Sequence, residues 1–350
     1  MTLPPQPAVS VIIVNYNGLA FLQTCLSALA RTTYKHMDTL MVDNGSSDGS
    51  VAFVAEHYPT VRVIPSTTNL GYSGGNNLGI KEAPGDIVVL LNNDTEVTPG
   101  WLEPLVAEFG TDDGIAACQP KVLSATRPTA FEYAGAAGGF MDQLGYPYLR
   151  GRVFDTIEED RGQYQEAVDL FWASGAAFAI RKDVLAETGL LDEDFRLHME
   201  EIDLCWRLHL RGYRVRACPE AVIYHYGGGT LGRGQSRKHY YNHRNGVFML
   251  LKNYSALRLL WVAPARALLD LVLVVKSLLT LDFARAAAVV AAYAWLLRHP
   301  LLIWRKRQQV QRLRQLSDRA LAPLLQPVSI VWAYYLRGKK TYAAISGKGG

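Results

Sequence analysis

The sequence predicts an α/β fold, a mostly parallel Rossmann-like sheet followed by a helical C-terminal region, on three observations. Short apolar, β-branched runs alternate with helix-like segments through the first hundred residues. The first three of those runs each end in Asn or Asp. The charge divides sharply at Thr230: residues 1–230 carry 16 basic and 29 acidic side chains, a net of −13, whereas residues 231–350 carry 20 basic ones and three acids (Asp270, Asp282, Asp318), a net of +17. At 350 residues, 49% hydrophobic and 19% charged, the chain can bury a large core and is too apolar for disorder.

Taken in order, Val9–Asn15 (VSVIIVN) reads as a strand buried on both faces, followed by Thr39–Val42 and Asp86–Leu91. Helix-like segments, Ala20–Arg31 and Ser50–His57, lie between them, the second entered through the capping residues Ser46–Asp48. Ligands of such sheets bind beyond the carboxyl ends of the strands. Those ends read Asn15-Tyr16-Asn17, Asp43-Asn44-Gly45 and Asn92-Asn93-Asp94, all polar. Phe171–Phe178 reads as a buried strand or loop beside the cleft, Leu204–Arg211 as a helix stopped by Gly212, and Val215–Tyr224 as a strand. Beyond Tyr240 the pattern is helical and apolar.

Five segments carry chemistry. Asp43, opening VDNGSSDGS, can accept from a base N–H or a ribose hydroxyl, although the segment also suits a turn with a helix cap. In NLGYSGGNNLG, Gly71, Gly74, Gly75 and Gly79 permit close backbone approach, and Asn76 and Asn77 offer amide donors to phosphate or sugar oxygens. It is neither GxGxxG nor a Walker loop. LLNNDTEV delivers Asp94 from an apolar strand, as a divalent cation on a diphosphate requires. HMEEIDLCWR crowds Glu200, Glu201 and Asp203, which reads either as a solvated helix start or as carboxylates raising one another's pKa to serve as a general base. In YHYGGGT, His225 is placed to complete a metal sphere with Asp94.

The ordered series VSVIIVNYN, VDNGSSDGS, NLGYSGGNNLG, LLNNDTEV, GLLDEDF, MEEIDLCWR and YHYGGG resembles glycosyltransferase family 2, closest to its rhamnosyltransferase-like bacterial members, over about residues 8–255. The resemblance implies the GT-A nucleotide-diphospho-sugar fold, an inverting reaction and a divalent metal, Mn²⁺ or Mg²⁺. It implies that Asn15, Asn17, Asp43 and Asn93 line the nucleotide, with Asn76 and Asn77 beside the ribose and diphosphate. Asp94 matches the last residue of the family's D-x-D, here N-N-D with Asn92 in first place, and His225 matches a metal-ligand histidine. Glu201 falls where the family has its catalytic Asp, with Asp203 the second candidate base. Trp172, Ser174, Gly175 and Glu200 match the stretch near the acceptor and donor sugar. YYNHRN, Tyr240–Asn245, also recurs in such sequences, without a clear role. The processive Q-x-x-R-W signature is missing; the nearest string, Gln309–Leu313, lacks the Trp.

The expected organisation is a flexible N-terminus over 1–8, a catalytic domain over 9–240, a helical membrane-associated region over 241–345 and a disordered tail over 346–350. Residues 257–304 are apolar but interrupted by charge, and the longest stretch free of Asp, Glu, Lys and Arg, Ala286–Leu297, has 12 residues against the roughly 20 of a spanning helix. Helices lying in a membrane interface are expected, anchored by Trp261, Trp295 and Trp304, with Trp304–Arg314 (WRKRQQVQRLR) on anionic head groups and Arg266 paired with Asp270 at i,i+4. So much apolar surface disfavours nucleic acid as the partner.

The first residues, MTLPPQPAVS, lack the basic and apolar regions of a signal peptide, and the four cysteines form no CxxC pair. The expected location is the cytoplasmic face of the inner membrane, peripheral or monotopic. The expected partners are a nucleotide-diphospho-sugar donor, with dTDP-rhamnose as the resemblance's suggestion, and a glycan or polyprenyl-linked acceptor. The alternative is a catalytically silent scaffold of a polysaccharide assembly complex. A nucleotidyltransferase would want a basic Gly-rich loop near the N-terminus, and VNYNGLAF has no Lys or Arg.

Overall fold

The computed structural model describes residues 3–227 and 235–347. Strands β1 (Val9–Asn15), β2 (Met37–Asp43), β3 (Arg62–Pro65) and β4 (Ile87–Asn92) alternate with helices α1 (Leu19–Leu29), α2 (Ser50–His57) and α3 (Gly71–Glu82). Their pairings are all parallel: β1 lies between β2 and β4, and β3 flanks β2. Side chains alternate across the sheet. Val9, Val11 and Ile13 enter one core with α1 and with α4 (Leu102–Thr111), while Ile12 enters the other beneath α3. Burial on both faces is why β1 is apolar at nearly every position.

Beyond β4 the sheet departs from the expected parallel order. A short strand β5 (Thr95–Val97) and the long β6 (Ile115–Ser124) follow, then a small sheet of β7 (Gly139–Asp142), β8 (Pro147–Leu149), β9 (Arg152–Val153) and β10 (Thr156–Ile157). The chain returns through β11 (Asp169–Leu170), β12 (Ala177–Arg181), α5 (Leu185–Thr188), α6 (Glu200–Leu210) and β13 (Arg214–His225). β12 is antiparallel to both β4 and β6, and β13 is parallel to β6 but antiparallel to β5 and β11. The sheet is therefore mixed. β6 and β12 are buried at nearly every position, and a buried run does not reveal strand direction.

The C-terminal region is α7 (Gln235–Asn253), α8 (Ala256–Leu279), α9 (Phe283–Arg298), α10 (Pro300–Leu313) and shorter elements: α11 (Asp318–Leu321), β14 (Leu325–Gln326), α12 (Ile330–Tyr335) and α13 (Tyr342–Ser346). The 240/241 division expected from sequence falls inside α7. Phe248, Leu250 and Tyr254 share one core with Trp206 of α6, and β14 pairs with β7, so these helices share a core with the N-terminal half. Ser346, expected in a disordered tail, ends α13, which Thr341 caps; residues 348–350 lie outside the described ones.

An apolar stripe remains on the outside. Leu257, Leu268, Leu271, Val275 and Leu279 of α8 are exposed, as are Leu281, Phe283, Leu297, Leu301 and Trp304. Among the described residues no single helix is long and apolar enough to cross a membrane; α9 and α10 satisfy length and composition only together, across a 77° bend. Arg266 and Asp270 pair at 3.1 Å as expected. The basic run after Trp304 differs from expectation. Lys306 pairs with Asp192 and Asp194, Arg307 donates to the carbonyls of Leu251 and Tyr254, and Arg314 pairs with Asp318, leaving Arg305 and Arg312 exposed. Helical periodicity turns part of any such run inward.

Candidate active site

The strand register gathers the predicted polar ends. Asn15 lies opposite Asp43, and Val14 opposite Asn92, so three strands release their chains side by side at one rim. Asn93 donates to Asn15 Oδ1 at 2.9 Å, Asn15 donates to Ser46 Oγ at 3.2 Å, and that hydroxyl also accepts the Asn17 N–H. Asn17, at φ +49°, accepts from the Ser47 N–H. Gly18 is required here, since a Cβ would stand 2.1 Å from Asn93 Nδ2. Asp43 Oδ2 accepts from the Ser46 N–H, but Oδ1 is buried without a partner. A buried acceptor left open at a strand end is what a nucleoside N–H or hydroxyl needs.

The glycine-rich segment is not a ligand loop but α3, and its small residues serve packing. A Cβ at Gly75 would meet Val14 at 2.7 Å and one at Gly79 would meet Ile12 at 2.4 Å, so the helix lies directly on β1. Asn76 is buried and donates to the Tyr72 carbonyl within the helix. Asn77 braces the loop before α6: its amide donates to Leu191 O at 2.9 Å and Glu193 Oε1 at 3.0 Å while its oxygen accepts the Leu191 N–H. That amide has no hydrogen left for a phosphate, which corrects the expected role of Asn77.

The candidate base stands where α6 begins. Burial pushes Glu201 up to about 7 against the backbone N–H groups, Gly175 among them, that hold it, and Oε2 has no hydrogen-bond partner. Burial and then the charge of Glu201 push Glu200 well above the ordinary carboxylate range. Asp203, the second candidate, is corrected by its surroundings. It is fully buried and accepts from Arg207 Nε at 3.0 Å, Lys252 Nζ at 3.1 Å and Asn253 Nδ2 at 2.8 Å, which makes it a structural counter-ion.

Glu201 is aimed by a strained approach. Arg196, His198 and Met199 all have positive φ, 61°, 68° and 73°, an unusual run without glycine. Asn245 of α7 holds it, its amide nitrogen 3.0, 2.8 and 2.7 Å from the carbonyls of Phe195, Leu197 and His198. Arg244 orients Asn245 and donates to Asp194 O and Phe195 O. The Asn-His-Arg-Asn string, whose role the sequence leaves open, is this clamp.

His225 reaches Asp94 because β13 pairs with β5, placing it opposite Thr95. Its Nε2 donates to Asp94 Oδ1 at 3.0 Å, its Nδ1 faces Glu132 Oε2 at 3.2 Å, and Asn92 Nδ2 lies 3.3 Å from Nε2. Burial works against the charged imidazole, but Asp94 and Glu132 outweigh it and raise His225 to about 10. Glu132 carries no motif and was invisible in the sequence. Among the described residues no three His, Cys, Asp or Glu side chains converge as a metal cluster. Two donors nonetheless fit. Asp94 Oδ1 and His225 Nε2, 3.0 Å apart, are the atoms that would hold a divalent cation, which would have to displace the proton the imidazole now shares with Asp94. Of the YHYGGGT motif, Gly228, Gly229 and Thr230 lie outside the described residues.

Of the 172–175 stretch, only Gly175 reaches the candidate base, through its N–H. Trp172, expected near the sugars, is buried against Gly139 and donates to the Phe140 carbonyl at 2.8 Å, so its ring belongs to the core. Ser174 is fixed by Gln119, which accepts its N–H. Gly175 accepts from the Tyr72 hydroxyl at 2.8 Å and leaves no room for a side chain there. All four cysteines are buried and free.

The chain is similar to several known proteins. The family profile described as Glycosyl transferase family 2 matches residues 10–189. The N-acetylglucosaminyl-diphospho-decaprenol L-rhamnosyltransferase of Mycobacterium tuberculosis is 25% identical over 270 residues, 73% of this chain and 87% of that protein. GalNAc-T7, solved with UDP, GalNAc and Mn²⁺, aligns with a TM-score of 0.53 at 18% identity over 69% of this chain; the chain spans about half of it, 51%. S. aureus TarS residues 1–349, in complex with UDP-GlcNAc, aligns with a TM-score of 0.50 at 16% identity, over 70% of this chain and 67% of that one.

Proposed function

Because the chain belongs to glycosyl transferase family 2, as a rhamnosyltransferase-like member with the GT-A fold, we propose that it transfers one sugar, with inversion and without processive elongation, from a nucleotide-diphospho donor to a hydroxyl of a lipid-linked glycan. The donor proposed is dTDP-rhamnose, the acceptor a polyprenyl-diphosphate-borne sugar, and the pathway bacterial surface polysaccharide assembly at the cytoplasmic face of the membrane. The M. tuberculosis relative, named for a lipid-diphosphate acceptor, supports this choice. The exposed apolar stripe on α8 and α9 supports peripheral or monotopic attachment to an anionic membrane.

One observation carries the reading: Glu201, raised to about 7 with an unpartnered oxygen, stands at the head of a clamped helix. In its ionised form it takes the proton of the acceptor hydroxyl while that oxygen attacks the anomeric carbon of the donor. The bond from that carbon to the diphosphate oxygen breaks on the opposite face, and a single displacement inverts the centre. Asp43 Oδ1, with Asn15 and Asn17 around it, holds the nucleoside. Asp94 and His225 would hold Mn²⁺ or Mg²⁺, which supplies charge neutralisation for the departing nucleoside diphosphate.

Calorimetric titration with dTDP, UDP and GDP, each with Mn²⁺ and with chelator, tests the reading. Metal-dependent binding of one nucleotide well above the others is expected, with dTDP preferred. Binding of none of the three would sink the transferase reading in favour of a silent scaffold.

A further inference from the structure

Beside the cleft stand two cations that make no ion pair among the described residues. Arg152 of β9 lies with its guanidinium carbon 3.8 Å from the centre of the Tyr133 ring, and Lys238 of α7 has its ammonium 4.5 Å from the same ring. Tyr133 is 41% exposed and follows Glu132, the partner of His225. Neither cation makes an ion pair within 4.0 Å among the described residues. Arg152 donates only to the Tyr133 carbonyl, and its Nε is buried without a partner. Two acids act on Arg152 without pairing with it: Glu132 is occupied by the N–H groups of Ala134 and Gly135 and faces His225, and Asp155 makes no ion pair with it within 4.0 Å. On the other side, His198 of the strained approach presents a buried, unpartnered Nε2, and burial together with Lys238 pushes that imidazole down to about 4.

From these contacts we propose that Lys238 and Arg152 form an anion subsite that holds the phosphate of a lipid-linked acceptor. The inference rests on the glycosyltransferase reading and deepens it. Two like charges gathered on one exposed aromatic ring repel each other, and a bound phosphate relieves that repulsion while drawing charge-assisted hydrogen bonds from both. The neighbourhood sets the source of the phosphate. His239, next to Lys238, lies 3.4 Å from Arg285 on the first turn of α9. Two residues before Arg285 comes Phe283, 60% exposed, and then Leu281, 73% exposed. Basic side chains thus lead from Lys238 at the edge of the candidate site, through His239 and the Asp282-paired Arg285, to the apolar stripe, in the order of a lipid diphosphate's head and tail. The nucleoside end of the donor belongs at Asn15 and Asp43, on the far strand ends.

The test titrates the full-length protein in detergent with farnesyl diphosphate, farnesol and inorganic pyrophosphate, and in parallel with dTDP and Mn²⁺. Wild type is expected to bind farnesyl diphosphate at least tenfold more tightly than farnesol or pyrophosphate. Lys238→Ala, at an exposed position, should weaken that binding at least tenfold, Lys238→Arg should restore it, and nucleotide affinity should not move. Three results would overturn the inference. Wild type fails to bind farnesyl diphosphate or binds farnesol as tightly; Lys238→Ala binds it unchanged; or the variant loses nucleotide instead, which would assign the cations to the donor's diphosphate. Absence of nucleotide binding in wild type bears on the enzyme reading, separately from these outcomes.

Discussion

Two carboxylate clusters share helix α6, and they differ in almost everything except residue type. At its first turn, Glu200 and Glu201 each bury an oxygen that has no partner, and both are pushed up, foremost by burial. Two residues on, Asp203 meets Arg207, Lys252 and Asn253, and the neighbouring Asp192 meets Lys252 at 2.5 Å and Lys306 at 2.6 Å. Burial works against Asp192's charge, but Lys252 and Lys306 outweigh it and hold its carboxyl well below the usual range. Uncompensated acids are held ready for chemistry; compensated ones hold the protein together. The comparison also recasts the charge division of the chain. Lys252 and Lys306 belong to the basic C-terminal part, and they neutralise acids of the catalytic half inside a common core. Part of the +17 is therefore spent within the molecule rather than on an outside surface.

The contrast breaks most visibly at Lys252. Lys252→Met leaves Asp192 and Asp203 buried with a shared cation missing, a loss on the order of 3–5 kcal/mol. Urea unfolding should show it as a lower midpoint with an unchanged slope. A variant as stable as wild type would mean that the network is ornamental and that Asp203 is open to a catalytic role.

At the uncompensated cluster the expected effect is on rate. Glu201→Gln should lower turnover at least about a hundredfold while leaving nucleotide affinity intact. In wild type, kcat/KM should fall roughly tenfold per pH unit below about 7, where the base takes up its proton. Stability should move the opposite way. The folded pKa lies above the ordinary 4.5, so the stabilisation from this group is complete below about 4.5 and is lost as pH rises through 7. The melting temperature of Glu201→Gln should therefore exceed that of wild type by a margin that opens between about pH 4.5 and 7 and then levels off. If Glu201→Gln keeps full activity, the base lies elsewhere.

Why one cluster and not the other was legible follows from where each partner lies in the chain. The ends of β1, β2 and β4 could be read because a buried strand announces itself locally and its polar terminus is contiguous with it. The choice between Glu201 and Asp203 could not, because Lys252 comes 49 residues after Asp203, and Lys306 comes 114 after Asp192. The glycines of α3 misled for a different reason. Gly75 and Gly79 stand four residues apart on the helix face that packs on β1, yet glycine composition suggests a loop. Antiparallel β12 was hidden as well, since an apolar run carries no direction.

The smallest expected effect tests how the uncompensated cluster is aimed. Asn245 touches neither Glu201 nor the cleft by any bond found here; it satisfies the carbonyls of a segment with three positive φ angles just before α6. Without its amide the carbonyls of Leu197 and His198 lose that donor, and residues 196–199 can relax toward ordinary backbone angles, turning the head of the helix. Asn245→Ala is therefore expected to lower kcat about tenfold, the cost of a modest misplacement, with nucleotide KM unchanged. Asn245→Asp should not rescue it, because a carboxylate has no hydrogen to give to three carbonyls, whereas Asn245→Gln keeps the donor on a longer arm and should recover part of the rate. A purely structural role predicts a different pattern: loss of melting temperature in step with activity, and a pH profile that keeps its midpoint near 7. A positioning role predicts that the midpoint itself shifts as the Gly175 N–H and the other backbone donors lose their hold on the Glu201 carboxylate.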